Sequence, residues 1–322
     1  MKAAIIIKPG DAQQFKMEDR PLPVVPDGWV LVKVKAFGLN RSELMTRKGL
    51  SPNVKFPRVL GIECVGVVED DASGEFKRGQ KVAACMGGMG RDFDGSYAEY
   101  TALPKLLLYP FESDLPWHQL GAIPEMFQTV YGSLHLALKI SAGETLLIRG
   151  GTSSIGLLAA QMAKQSGLTV IATTRNANRT QALLTNGADH VVIDNGKIAD
   201  AVRKLHPNGV NKVLELVGTG TLPDSLVCSA PGGIVCMTGM LAEQWSIPAF
   251  SPMEVIPATV SLTVYDSGQV RSDRCSFQEF IKDVEEGHIK LTVSKVFSLD
   301  QIVEAHQLMD SNQAAGKIVV VI

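Results

Sequence analysis

The sequence predicts an α/β protein in which a β-rich N-terminal domain is followed by a doubly wound parallel sheet. Three observations carry this. The first 110 residues or so are short apolar runs punctuated by Gly and Pro, the signature of a barrel-like or sandwich-like β unit. From about residue 117, helical stretches alternate with short apolar strands, which is the rhythm of a parallel sheet with crossover helices. Within that region, Leu146-Leu147-Ile148-Arg149 runs into Gly150-Gly151-Thr152-Ser153-Ser154-Ile155-Gly156 and then into a helical Leu157–Lys164 segment, giving strand, tight glycine turn and helix.

In chain order, Lys2-Ala3-Ala4-Ile5-Ile6-Ile7 reads as a first strand; it is too short for a signal peptide. Trp29–Ala36 alternates after Pro26-Asp27-Gly28, Cys64–Glu69 is another strand, and Lys81–Ala84 follows Arg78-Gly79-Gln80. Six further strands are expected at 145–149, 169–174, 190–194, 212–217, 233–238 and 259–264. Gly187 should end a helix over 178–186, and Pro231-Gly232 one over 222–230. Beyond about residue 265 the alternation stops. Ser276-x-x-Glu279 and Ser298-x-x-Gln301 then read as capping boxes opening two helices, and Lys317–Ile322 closes the chain as a buried-looking strand.

The glycine turn indicates a cofactor. The first N–H groups of a helix lack intrahelical partners and the helix dipole is positive there, so a pyrophosphate fits. The spacing Gly151-x-Ser153-x-x-Gly156 carries a serine at the usual middle glycine. Ser153, Ser154 and Ile155 are expected to offer backbone N–H groups, the two serines adding hydroxyls. In an NAD site an acidic residue ends the second strand. Here that strand ends in Thr174-Arg175-Asn176, Arg179 follows, and no Asp or Glu occurs between Glu144 and Asp189, a span that also holds Arg149 and Lys164. A 2′-phosphate is favoured by guanidinium groups and repelled by carboxylates, so NADPH is expected over NADH. The alternative is that Arg175 and Arg179 form only a solvated face.

Length and composition bound the rest. The chain has 322 residues, 45% hydrophobic and 20% charged, with a formal net charge of −2. That suits two ordinary globular domains and gives no global field for nucleic acid or an anionic membrane. No apolar run reaches the length of a membrane span. Five scattered cysteines suggest no disulfide framework, which fits a cytoplasmic protein.

Five stretches in order then identify a family resemblance: Gly38-Leu39-Asn40-Arg41-Ser42-Glu43, Pro57–Glu63, Gly95-Ser96-Tyr97-Ala98-Glu99-Tyr100, the glycine turn, and Gly316-Lys317-Ile318-Val319. Together they resemble the zinc-free quinone oxidoreductase branch of the medium-chain dehydrogenase/reductase superfamily. The resemblance implies a GroES-like catalytic domain over 1–120, an inserted Rossmann domain over 121–264, a return to the first domain over 265–322, and an active site in the cleft between them. It also implies site residues. Asn40 matches a position facing the nicotinamide, although a turn-capping Asn is the plain alternative. Tyr97 can close over substrate or simply pack. Thr129 matches a helix residue near the nicotinamide ribose. Leu216 and Val217 line the cofactor crevice at the end of the fourth Rossmann strand, Thr238 and Gly239 at the fifth, and Tyr265 at the sixth. Asn312 and Lys317 match positions near the 2′-phosphate or the nicotinamide, while Glu63 reads as a structural anchor and Lys105 as a surface charge.

Zinc relatives place a Cys near position 40 and a His before the Glu of Gly61-Ile62-Glu63; this chain has Asn40 and Ile62, and no cysteine in 86–100. No metal site is therefore expected. Hydride transfer remains open to acceptors that are electrophilic without a Lewis acid, and NADPH-dependent quinone reduction is the leading expectation. Reduction of enones or enoyl thioesters is second, weakened because the stretch Arg47–Pro52 lacks the Tyr of enoyl reductases. A non-catalytic NADPH-binding protein is third. The β-branched sixth strand, at the sheet edge, suggests a homodimer.

Overall fold

The computed structural model describes residues 1–322, in two compact units: residues 1–127 with 272–322, and residues 128–271. These boundaries fall a few residues beyond the expected 120 and 264. No helix is long and apolar enough to cross a membrane.

The first unit holds β1 (Lys2–Ile6), β2 (Phe15–Asp19), β3 (Trp29–Gly38), β4 (Arg58–Val59), β5 (Glu63–Asp70), β6 (Lys81–Cys85), β7 (Tyr100–Pro104) and β8 (Leu108–Pro110). The second holds β9 (Thr145–Arg149), β10 (Thr169–Thr174), β11 (His190–Ile193), β12 (Val210–Glu215), β13 (Ser229–Met237) and β14 (Ser261–Val264). The chain then supplies β15 (Val293–Ser298) and β16 (Lys317–Val321) to the first unit.

In the first unit a seven-stranded sheet runs β15-β16-β3-β5-β6-β8, with β7 also on β3, and a three-stranded sheet runs β2-β1-β4. The C-terminal strand β16 pairs antiparallel with β3, Val319 opposite Gly38, which brings the end of the chain beside Asn40. One core of aliphatic and aromatic side chains, Ile6, Val32, Phe37, Leu60, Leu103 and Val320 among them, fills the unit.

In the second unit all six strands are parallel, in the order β11-β10-β9-β12-β13-β14. Numbered from β9 this is 3-2-1-4-5-6, the order of a dinucleotide-binding sheet, whose direction of winding reverses between β9 and β12. β9 is buried at every residue, as a central parallel strand covered on both faces must be. β14 is half exposed at the sheet edge.

Each of the six expected parallel strands is present. Two local expectations are corrected. Pro231-Gly232 do not stop a helix: the helix ends at Val227, and both residues lie in an irregularity of β13 where pairing with β12 jumps from Val210–Ser229 to Lys212–Ile234. The helix Arg274–Glu285 is capped by Asp273, whose side chain accepts from the Ser276 N–H, so Ser276 is inside the helix and not its cap. The Ser298–Gln301 capping box forms as expected.

Candidate active site

In the second unit the turn after β9 is built for close approach. Gly150 has φ +89°, open to glycine at little steric penalty. A Cβ on Gly156 would lie 2.6 Å from the Gly150 carbonyl oxygen and 2.7 Å from Gly151 Cα, so only glycine lets the helix Ser154–Gln165 start this near the strand. Ser153 is the helix N-cap. Its hydroxyl donates to the Gly150 carbonyl at 2.9 Å and accepts the Gly156 N–H at 3.0 Å, while its own N–H donates to the Gly150 carbonyl at 3.2 Å. This corrects the expectation that Ser153 offers groups to a pyrophosphate: it is spent on holding the turn. The half-buried Ser154 and Ile155 supply the first two helical N–H groups, and these have no intrahelical acceptor.

At the end of β10, Thr174 is buried and its hydroxyl bonds both N–H (3.1 Å) and C=O (3.2 Å) of Asn176, fixing the turn and leaving the hydroxyl committed there. Arg175 is exposed and Arg179 half-buried, and neither guanidinium has a carboxylate partner. The other two bases of this acid-free span are used elsewhere. Lys164 pairs with Asp189 at 2.6 Å, and Arg149 is wholly buried among carboxylates.

The remaining strand ends are more self-contained than the sequence suggests. The Leu216 N–H bonds the Arg149 carbonyl, the Val217 N–H bonds Glu215, and the carbonyls of Leu216 and Val217 take the N–H groups of Leu241 and Ala242, so only their side chains remain for a ligand. Gly239, two residues past β13, places its N–H on the Glu215 carbonyl, and the Thr238 hydroxyl meets Ser133 Oγ at 2.9 Å. Ser133 in turn donates to the carbonyl of the buried Thr129 at 2.6 Å. Tyr265 is a correction. Its hydroxyl donates to the Val270 carbonyl at 2.7 Å, and its ring occupies the space where a side chain at Gly132 would stand, so it is a packing residue.

In the first unit the sequence brings Asn40, Glu63 and Lys317 together from three distant stretches. Asn40 Nδ2 donates to Glu63 Oε1 at 2.8 Å, Lys317 Nζ donates to Asn40 Oδ1 at 2.5 Å, and Lys317 Nζ lies 2.7 Å from Glu63 Oε1. Glu63 Oε2 accepts the Glu125 N–H at 2.8 Å. Lys317 was expected near the 2′-phosphate or the nicotinamide; the phosphate alternative is corrected, because its side chain is 2% exposed and enclosed by a carboxylate and by Asn40. Burial alone pushes its ammonium pKa down, but Glu63, then Glu125 and Glu43, override this and the net shift is upward. Asn312 sits at φ +57° and its carbonyl oxygen accepts from Arg41, so it too is engaged within this unit.

Glu43 is a residue that sequence reading missed. It is 1% exposed, accepts the Asn40 N–H at 2.6 Å and the Ile62 N–H at 3.1 Å, and stands beside Glu63. Burial, then Glu63, pushes its carboxyl up to about 8, so at neutral pH Glu43 keeps its proton beside the Glu63–Lys317 ion pair. Tyr97 is fully buried, stacked on Phe37 at 4.6 Å between centroids, with its hydroxyl 3.1 Å from His306 Nε2. It is a core residue and cannot close over a substrate. Burial, then Arg47, holds the His306 imidazole well below its ordinary pKa, and so neutral.

Glu43, raised from 4.5 to about 8, keeps its proton when folded and loses it when unfolded, so it lowers stability as pH rises across that window. His306 acts oppositely below 6.5, where only the unfolded chain binds its proton. The two offset between 4.5 and 6.5, leaving the Glu43 loss above 6.5. Urea unfolding should therefore show stability falling from pH 6.5 to 8; a rise across that range would contradict the assignment.

Two family models match the chain: the alcohol dehydrogenase GroES-like domain over residues 26–113 and a zinc-binding dehydrogenase model over 186–320, together well over half its length. The human quinone oxidoreductase is 26% identical over 334 residues, covering 100% of this chain and 98% of the relative. The acryloyl-coenzyme A reductase of Sulfurisphaera tokodaii is 24% identical over 347 residues, covering 99% of each. The Escherichia coli quinone oxidoreductase, crystallised with NADPH, shares the fold at a TM-score of 0.88 with 21% identity over the full length of both chains. With a GroES-like N-terminal segment, a six-stranded parallel sheet in dinucleotide-binding order and matches that run end to end, the chain belongs to the medium-chain dehydrogenase/reductase superfamily of oxidoreductases, in its quinone oxidoreductase-like part.

Proposed function

We propose that the chain is an NADPH-dependent reductase of quinones and similar activated carbonyl acceptors that works without zinc. The observation that carries the cofactor choice is the pair Arg175 and Arg179, unpaired, beyond a strand end free of carboxylates. Both can form charge-assisted bonds to a 2′-phosphate. Ser154 and Ile155 would hold the pyrophosphate through their N–H groups, with Thr129, Thr238 and the Leu216 and Val217 side chains toward the nicotinamide half. NADPH supplies the hydride. Replacing Arg175 and Arg179 with Ala together should raise KM for NADPH about 100-fold or more, at roughly 1.5 kcal/mol or more per charged hydrogen bond, and leave KM for NADH unchanged; equal effects on both cofactors would contradict the assignment.

Zinc does not fit the donor set, although one matched family model is described as zinc-binding. The Asn40 amide is held by Glu63 and Lys317, and Ile62, buried, has no donor atom. The one group of Cys, His or carboxylate side chains with ligand atoms close enough to share an ion is Asp283, Glu286 and His288 on the surface, which includes neither Glu63 nor any cysteine, so nothing around Asn40 supplies the three ligands that a catalytic zinc needs. Without a Lewis acid the acceptor must already be electrophilic, which favours quinones. Asn40 contributes a donor: its carbonyl oxygen is occupied by Lys317 and one N–H by Glu63, so the remaining N–H is what it can give to a substrate oxygen.

A second reading, reduction of α,β-unsaturated ketones, aldehydes or enoyl thioesters, is favoured by the end-to-end match to an acryloyl-coenzyme A reductase and disfavoured by the missing Tyr in 47–52. NADPH consumption with 1,4-benzoquinone against crotonyl thioester separates the two: faster turnover with the quinone supports the first, with the thioester the second. NADPH binding without turnover of either would leave a non-catalytic binding protein. The exposed β14 edge, with Val264 67% exposed, supports a homodimer, and a monomeric mass in solution would oppose it. The near-neutral charge supports neither a nucleic-acid nor a membrane partner, and five free cysteines suit the reducing cytoplasm.

A further inference from the structure

Arg149 is a charge at the end of a strand otherwise made of Thr145, Leu146, Leu147 and Ile148, and it is fully buried. Its Nε and Nη2 grip Asp194 in a bidentate pair at 2.9 and 3.0 Å. Its Nη1 reaches Asp224 at 2.8 Å, with Ser225 Oγ and the Thr221 carbonyl each at 3.1 Å. Two relays extend from this centre. Toward β10, Thr173 Oγ1 lies 3.5 Å from Asp194 and accepts the Gly150 N–H at 3.1 Å. Toward β12, Ser225 Oγ donates to Glu215 at 2.5 Å, and Glu215 accepts the N–H groups of Val217 (2.7 Å) and Gly218 (3.0 Å).

The result is one polar belt under the C-terminal ends of four neighbouring strands, β11, β10, β9 and β12. It ties together the loop after β11, the glycine turn and the loop after β12, which are the loops that border the crevice of such a sheet. For folding alone an apolar side chain would serve at 149, since a buried charge network often adds no more stability than hydrophobic packing. We propose that Arg149 is a positioning residue for the dinucleotide: it touches no ligand, but through Asp194–Thr173 and Ser225–Glu215 it sets the shape of the glycine turn and of the Val217–Gly218 turn before the cofactor arrives. This rests on the dinucleotide reading above and adds that affinity depends on a buried network outside the site.

The test uses Thr173→Val and Ser225→Ala, which cut one relay each and leave the Arg149 ion pairs intact, beside Arg149→Lys and Arg149→Met. NADPH Kd is read by fluorescence, kcat and acceptor KM at saturating NADPH, and the folded state by circular dichroism. Thr173→Val and Ser225→Ala should weaken NADPH severalfold and Arg149→Met about tenfold or more, since small displacements of binding groups are amplified in this way. Arg149→Lys should fall between, with acceptor KM and kcat unchanged throughout. Folded variants that bind NADPH within about twofold of wild type overturn the proposal and leave the belt a stability element alone. A wild-type protein that binds no NADPH overturns the dinucleotide reading as well, so the two failures are distinct.

Discussion

Replacing Lys317 with Met is expected to destabilise the first unit by about 3–5 kcal/mol, because it leaves the Glu63 carboxylate buried without its cation. The effect is large for three reasons. Glu63 is wholly enclosed, so water cannot take over from the ammonium. Glu43 beside it keeps its proton and is neutral, so it brings no positive charge that could replace the ammonium. Lys317 also donates to Asn40, whose amide would lose its fixed orientation and, with it, the donor proposed for the substrate oxygen. Glu63→Gln added to Lys317→Met should recover much of the loss, since the pair then has no charge to bury. Denaturant unfolding of the single and double variants measures this. A single-variant loss below about 1 kcal/mol, the range of an exposed pair, would contradict it.

Gly156→Val is expected to abolish dinucleotide binding with a smaller effect on fold. The added Cβ must displace the backbone of Gly150 and Gly151, not a flexible side chain, and overpacking of this kind costs about 1–3 kcal/mol even without branching. The turn can relieve the clash by moving the helix start away from β9. That separates the Ser154 and Ile155 N–H groups from the strand end, and each 1.4 kcal/mol lost from binding is a factor of about ten in affinity. Gly156→Ala should show the same effect in part. NADPH titration with circular dichroism as a fold control is the measurement; a Val variant with wild-type affinity would mean that the turn does not hold the cofactor.

The parallel sheet was legible because β9 and β10 lie in its interior and read as short apolar runs, Leu146–Ile148 and Val170–Ala172, each preceded by a glycine turn. The glycine turn was legible because close approach permits little but glycine at 156. What escaped was pairing. Tyr97 meets His306 across 209 residues and Lys317 meets Asn40 across 277, and no local period encodes such partners. Lys317 therefore reads as a free functional group and Tyr97 as either a substrate-facing or a packing residue, although both are spent inside the core. Arg149 carried a visible signal, a charge on a strand otherwise apolar beyond Thr145, but it read as one more base near a phosphate. Ser153 was misassigned for a subtler reason: a hydroxyl at a helix start serves equally as an N-cap or as a ligand donor, and only the bond to Gly156 distinguishes the two.

The function proposed for this chain is that of a reductase that takes its hydride from NADPH and needs no zinc. The most direct test is turnover of 1,4-benzoquinone by protein stripped of metal with a chelator, using NADPH and NADH in parallel, with zinc measured in the same sample. Full activity with less than stoichiometric zinc and a clear preference for NADPH is the expected result. Activity that vanishes on chelation and returns with zinc, or that prefers NADH, would contradict it.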